Sequence, residues 1–267
     1  MDLPKLRHKG RLDPVADKTM AVYSLAWKKF SEWLGDREPS WELAQTWLEE
    51  ILENHKPATV AIYGNALRKI LPALGIAKPS LDFELLLPAQ ARRIPHYLEE
   101  NELLRVMKAA TTPLEKVVLL VLIETGLRIS EFLALDVADV DFEKRFVFAH
   151  REKVHMDGWI PISEVALAAI REYMKWGTVR RGTVMRGRMF PYEYLYIYDL
   201  IKRLGAKAGL QLNPHLFRHS FAALRRIKFN QPIEDLQQML GHKNIQTTMI
   251  YANIKPQDLQ DKYRSVI

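Results

Sequence analysis

The stretch Asn213-Pro214-His215-Leu216-Phe217-Arg218-His219-Ser220-Phe221, followed by Leu240-Gly241-His242 and then Tyr251, decides how this chain is read. Asn213 suits a helix N-cap and Pro214 the first helical position, where a missing N–H costs nothing. At about 100° per residue, His215 and Arg218 then lie about 60° apart and project together from the helix. Phe217, Phe221 and Leu224 fall on another face and predict its core side. A helix N-terminus favours anions, which reinforces a phosphate here. Gly241 permits a tight approach or a helix end, and Thr247-Thr248 suit the start of a further helix with Tyr251 about one turn in. A phenol, with an ordinary pKa of about 10, is a poor nucleophile in water. It becomes useful where cations and hydrogen-bond donors gather around a phosphate for it to attack.

A metal reading of the same helix fails on composition. His215 and His219 are four residues apart, as in zinc helices, but Arg218 sits between them and no Asp or Glu follows to complete a shell. No metal is predicted, and His219 reads as a packing or hydrogen-bonding residue.

The chain has 267 residues, 48% of them hydrophobic, enough for a sizeable core divided into two domains. Its longest apolar run, Val117 to Ile123, is far too short to span a membrane. The first residues lack the apolar stretch of a secretory signal. Zero cysteines exclude disulfides, thiolate metal sites and a cysteine nucleophile, and fit a cytoplasmic protein. The net charge of +7 is uneven: residues 1–90 hold twelve Lys/Arg and twelve Asp/Glu, whereas residues 171–228 hold thirteen basic and three acidic side chains. That local excess suits a polyanion such as nucleic acid, or equally a solvated basic surface.

From Val15 to about Leu85 the pattern is helical. One stripe runs through Met20, Tyr23, Leu25, Trp27, Phe30, Trp33 and Leu34. A second helix opens at Ser40-Trp41 and buries Ala44, Trp47, Leu48, Ile51 and Leu52. A third starts at Pro57 and runs through Val60, Tyr63, Leu67, Ile70 and Leu71. The stretch around residues 89–97, rich in proline and arginine, reads as a linker in which Arg92 and Arg93 are candidate phosphate contacts. Beyond it come a helix opening at Leu98–Glu102, an apolar helix from Pro113 to Glu124 ended by Gly126, and another from Ser130-Glu131. Arg145–Ala149 and Trp159–Ile162 predict two short strands, joined by a turn around Met156–Gly158.

Taken together these motifs resemble the tyrosine recombinase family, the phage-integrase and Xer-type site-specific DNA recombinases. Thr125-Gly126-Leu127-Arg128-Ile129-Ser130-Glu131 resembles the family's first arginine motif, and His215-Leu216-Phe217-Arg218 its H-x-x-R box. Leu240-Gly241-His242 with Tyr251 resembles its closing histidine and nucleophile. Aligning Ile160-Pro161-Ile162 with the family's apolar-Pro-apolar strand puts Lys153 at the hairpin lysine position, without the usual flanking glycines; Lys144 is the nearest competitor.

The resemblance implies a mainly α (α+β) fold: a helical core-binding domain over residues 1–88, a linker over 89–97, and a mostly helical catalytic domain with a small antiparallel sheet over 98–267. It implies Arg128, Lys153, His215, Arg218, His242 and Tyr251 as catalytic residues, with Glu131 orienting Arg128 and His215 able to accept the tyrosine proton. No cofactor is implied. The partners implied are double-stranded DNA and further copies of the chain in a tetrameric synapse, with the tail after Tyr251 donated to a neighbour or packed back. Arg180, Arg181, Arg186 and Arg188 are further candidates for phosphate contacts. A type IB topoisomerase-like relaxing enzyme and a non-catalytic DNA-binding regulator on the same fold are the alternatives.

Overall fold

The computed structural model describes residues 17–89, 95–151, 156–181 and 187–252. The chain divides into two compact units, residues 1–92 and 93–267. Among the described residues no helix is long and apolar enough to cross a membrane.

Among the described residues the first unit holds three helices: α1 (Asp17–Leu34), α2 (Trp41–Leu52) and α3 (Pro57–Ala73). Ser40 caps α2, its hydroxyl accepting the Leu43 N–H at 3.2 Å, and Pro57 opens α3 where no N–H is needed. Their facing stripes bury Trp27, Phe30, Trp41, Trp47, Leu67, Ile70 and Leu71 in one core. Leu25 and Leu52 do not follow the expectation. Both are exposed, because each lies off the stripe that faces the other helices.

The second unit is mostly helical, with a small antiparallel sheet, as expected. Its centre is α5 (Pro113–Thr125), which packs against α7 (Glu164–Arg181), α8 (Tyr194–Ala208) and α9 (Pro214–Phe229). A helix apolar all round belongs in such a position. Its ends are strongly specified. Thr112 and Glu115 form a reciprocal capping box, and Gly126 ends the helix at φ 63°. Glycine is required there twice over: the conformation is left-handed, and a Cβ would meet the Phe221 ring at 2.5 Å. Helices α4 (Glu100–Ala109), α6 (Ile129–Ala134) and α10 (Ile233–Leu240) complete the described helical set.

The sheet has order β1-β2-β3, with β1 (Val140–Asp141), β2 (Phe146–Ala149) and β3 (Gly158–Pro161) all antiparallel. Val147 pairs with Ile160 and both are buried, whereas Phe148 and Trp159 pair on the outer face. β1 was not foreseen, since two residues carry no readable alternation. Arg145 is not in a strand: it sits at φ 60° in the β1–β2 turn, where the Asp141 carboxylate accepts the N–H groups of Glu143 and Lys144.

Candidate active site

Four helix ends and the end of one strand converge on a single buried cluster. Arg128 is the N-cap of α6; its N–H donates to Glu131 Oε2 at 2.9 Å and its guanidinium to Glu131 Oε1. Glu131 also lies 4.0 Å from the Arg218 guanidinium, so one carboxylate serves both arginines. Glu131 and Arg128 are thus ion-paired.

Arg218 departs from the expectation that it projects together with His215. Its guanidinium is drawn inward, donating to the Gly126 carbonyl at 2.8 Å and to the Leu240 carbonyl, while His215 is exposed. Angular spacing on a helix does not report what the neighbouring elements offer, and here two carbonyls at helix ends take the guanidinium in. Leu224, too, is only half buried, unlike Phe217 and Phe221.

The end of α10 explains much of the arrangement. The last carbonyls of a helix have no intrahelical donors. Gly241, at φ 61°, turns the chain so that its own N–H meets the Gln238 carbonyl at 3.0 Å and the His242 N–H meets the Gln237 carbonyl at 3.1 Å. The carbonyls of Gln238, Met239 and Leu240 are then met by two guanidiniums. Arg151, two residues after β2, donates to Gln238 at 3.2 Å and to Met239, while Arg218 takes Leu240. Cations at a helix C-terminus are favourable, which offsets part of the cost of burying them. Arg151 also donates to the Met156 carbonyl at 2.7 Å, and its backbone N–H donates to the Asp157 carboxylate at 2.6 Å.

These groups are deeply placed: Tyr251 is 2% exposed, Arg151 3%, Arg218 5% and His242 9%. Burial, helped by the Arg128 charge, pulls the Arg218 pKa down to about 10, which leaves it protonated at neutral pH. Burial lowers that of Arg151 as well. The His242 imidazole is driven down to about 3 by burial first and then by Arg218, Arg128 and Arg151, so it stays neutral. Its Nδ1 lies 2.9 Å from the Thr248 hydroxyl. If that hydroxyl donates, the other ring nitrogen carries the proton and can donate to an anion.

Tyr251 lies in a short 3-10 turn (Met249–Tyr251) that follows another at Ile245–Thr247, not in the regular helix expected after Thr247. Asn244 caps the first turn, its side-chain oxygen accepting the Gln246 N–H at 2.9 Å. The phenol oxygen sits 2.6 Å from Nδ1 of His219. Burial pushes its pKa up to about 12, and the Arg218 charge opposes that rise without cancelling it. His219 is itself held below the ordinary imidazole range by burial, then by His215 and Arg218.

The remaining sequence candidates fall elsewhere. Arg188 is exposed and its Nε donates to the Leu133 carbonyl at 2.9 Å, so part of its donor array fixes the segment after residue 186 to α6. Lys153, Arg92, Arg93 and Arg186 lie outside the described residues, as does the tail beyond Ala252, and the side chains of Arg180 and Arg181 are not described. Among the described residues no group of three or more His, Cys, Asp or Glu side chains is gathered to hold a metal ion. Arg151 was missed. Within His150-Arg151-Glu152-Lys153 it carries no signal that separates a buried guanidinium from a solvated one.

The phage integrase family model matches residues 96–258, more than half of the chain and all of the cluster just described. The chain belongs to this family. Membership brings the tyrosine-recombinase class of chemistry, DNA strand cleavage through a phosphotyrosine intermediate. Among its relatives, the tyrosine recombinase XerA of Saccharolobus solfataricus is 27% identical over 261 residues, covering 92% of this chain and 85% of that protein. XerA of Pyrococcus horikoshii is 32% identical over 65% of this chain and 62% of its own length. A solved structure of the XerH site-specific recombinase bound to its difH substrate, in a pre-cleavage complex, has the same fold, with a TM-score of 0.70 at 18% identity over 91% of this chain and 78% of that one.

Proposed function

We propose that this recombinase cleaves and rejoins double-stranded DNA at specific sites in the Xer manner, through a 3′-phosphotyrosine on Tyr251. The observation that carries the reading is the charge of the buried cluster. Among the described residues, three guanidiniums, of Arg128, Arg151 and Arg218, face two carboxylates: Glu131, ion-paired with Arg128 and 4.0 Å from Arg218, and Asp157, which acts on Arg151. Holding Arg218 protonated against a pKa near 10 costs roughly 3 kcal/mol relative to an arginine in water. An anion docked between Arg128 and Arg218 relieves that cost. A DNA phosphate is such an anion, and it places its phosphorus beside a buried phenol.

In this reading Arg128 and Arg218 bind two phosphate oxygens with planar donor arrays and neutralise the charge that grows in the transition state. His242, its tautomer set by Thr248, and the exposed His215 donate to the same group. Lys153 protonates the departing 5′ oxygen. The phosphotyrosine conserves the bond energy, so that a 5′ hydroxyl from another strand reverses the step. The first unit acts as a core-binding domain on the same duplex, and four copies form the synapse that strand exchange requires. The similarity to XerA along 85% of that protein's length supports a Xer-like role over relaxation alone.

Two differently labelled duplexes carrying the bound site test this. Joint molecules containing one strand from each duplex are expected. Relaxation of a supercoiled plasmid with no joint molecules would put the topoisomerase-like activity in its place.

A further inference from the structure

The phenol of Tyr251 is hydrogen-bonded to a histidine, and it is not the histidine of the H-x-x-R box. His219, four residues further along α9 than His215, approaches the phenol oxygen through Nδ1 at 2.6 Å. His215 is exposed on the same helix. We infer that His219 is the proton acceptor for Tyr251 in strand cleavage, a further catalytic residue of this recombinase. The inference rests on the proposed phosphotyrosine chemistry.

Burial makes a base necessary. With the phenol pKa near 12, only about one molecule in 10⁵ carries a phenolate at pH 7. An ordinary phenol at about 10 is ionised about a hundred times more often. Tyr251 therefore cannot rely on its own ionisation, and among the described residues its proton has a short hydrogen-bonded path to His219. That path is open because His219 is neutral in the DNA-free protein, held so by burial and by the charges of His215 and Arg218. The tautomer protonated at Nε2 leaves the Nδ1 lone pair facing the phenol.

The groups around the imidazole link its base strength to the substrate. His215 and Arg218 on its own helix, His242 on the loop after α10, and Tyr251 itself act on it electrostatically or touch it. A DNA phosphate placed against Arg218 opposes the positive charges that depress the His219 pKa. Burial, the larger cause of the depression, stays in place, while the part due to the neighbouring charges is offset when the substrate is bound. A phenol that is hard to ionise, beside a base weakened until DNA docks, stays unreactive toward other electrophiles.

The step balances as follows. The Tyr251 O–H proton passes to His219 Nδ1 as the phenol oxygen bonds to phosphorus. The bond from phosphorus to the 5′ oxygen breaks, and that oxygen takes a proton from the general acid. The products are a 3′-phosphotyrosine, a free 5′ hydroxyl and an imidazolium at His219. In religation the imidazolium returns its proton to the leaving phenol oxygen.

The test is single-turnover cleavage of a nicked suicide duplex by the full chain, followed from pH 6 to 10 as covalent adduct on a denaturing gel. His219→Gln is the informative variant, since its carbonyl oxygen still accepts the phenol hydrogen bond but takes no proton. Its adduct rate is expected to fall by about 10²-fold or more at pH 7 and to climb steadily with pH where the wild-type rate has levelled off. DNA binding should be unchanged by gel shift. His219→Ala leaves room for added imidazole, which is expected to restore part of the rate. A His219→Gln protein with wild-type rate and wild-type pH dependence, or a His219→Ala protein that folds and is indifferent to imidazole, would overturn the inference while leaving phosphotyrosine chemistry intact. No adduct from the wild-type protein would overturn both.

Discussion

Replacing Gly241 by alanine tests the claim that the end of α10 is locked onto two buried guanidiniums. Gly241 sits at φ 61°, a conformation that costs a residue with a Cβ about 1–2 kcal/mol. The added Cβ would collide with the Arg151 side chain, at its Cδ and at 2.6 Å from its Nε. Arg151 is buried and tied to three carbonyls, so it cannot swing clear as a surface side chain does. Overpacking of this kind costs about 1–3 kcal/mol. Together Gly241→Ala should destabilise the protein by roughly 2–5 kcal/mol, a large share of the stability of an ordinary domain. Gly209 is the internal control. It has the same left-handed conformation, φ 67°, in the same unit, but its nearest prospective neighbour is Arg105 Nη1 at 3.9 Å. Gly209→Ala should therefore lose only the backbone term, about 1–2 kcal/mol. Urea unfolding followed by circular dichroism measures both: for a slope of about 2 kcal/mol/M the Gly241→Ala midpoint should fall by about 1–2.5 M. The same variant should cleave DNA poorly, because Leu240, which holds Arg218, and His242 flank the changed residue. If Gly241→Ala proves no less stable than Gly209→Ala, Arg151 does not clamp the helix end as described.

Arg151→Met should cost several kcal/mol of stability by leaving buried carbonyls unpaired, and Arg151→Lys should recover only part of it, since one ammonium cannot span the same carbonyls; urea midpoints of the pair decide. Stability should also fall with acid. His242 has a folded pKa depressed to about 3 against 6.5 when unfolded, so the unfolded chain binds the extra proton in that window and the native state loses about 2 kcal/mol between pH 7 and pH 5. His242→Gln should flatten the profile; an unchanged slope contradicts the depressed pKa. Thr248→Val removes the hydroxyl that sets the His242 tautomer and should slow cleavage about tenfold with unaltered DNA affinity, measured by single-turnover cleavage and by gel shift. Arg218→Gln should reduce cleavage by about 10² or more, and wild-type turnover by that variant would contradict the phosphate clamp.

Much of this was legible in the residues because their local signals agree with the fold. Asn213 does cap α9, its side chain accepting the Leu216 N–H at 3.0 Å, and Gly126 does end α5 in the left-handed region. Such signals are local: a side-chain oxygen or a missing Cβ acts on a backbone within a few residues. The apolar periodicity of α2 and α3 was equally direct, since facing stripes must bury each other. What stayed hidden depends on elements distant in sequence. Arg218 turns inward because carbonyls 92 and 22 residues away are offered to it. Arg151 is buried because α10, almost ninety residues later, ends against it. The 3-10 winding before Tyr251 and the approach of its hydroxyl to His219 likewise follow from packing on α9, not from the sequence of either segment. Hence most residue types of the candidate site were readable, Arg151 excepted, and beyond the local Arg128–Glu131 pair their hydrogen-bond partners were not.

The central claim is that the phenol of Tyr251 becomes bonded to a DNA phosphorus. Its most direct measurement is digestion of the trapped protein–DNA adduct and mass spectrometry of the peptide that carries the nucleotide. The modification is expected on Tyr251, through its oxygen to a 3′ phosphate, and to vanish in Tyr251→Phe. A nucleotide attached to another residue, or a Tyr251→Phe protein that still forms the adduct, would contradict it.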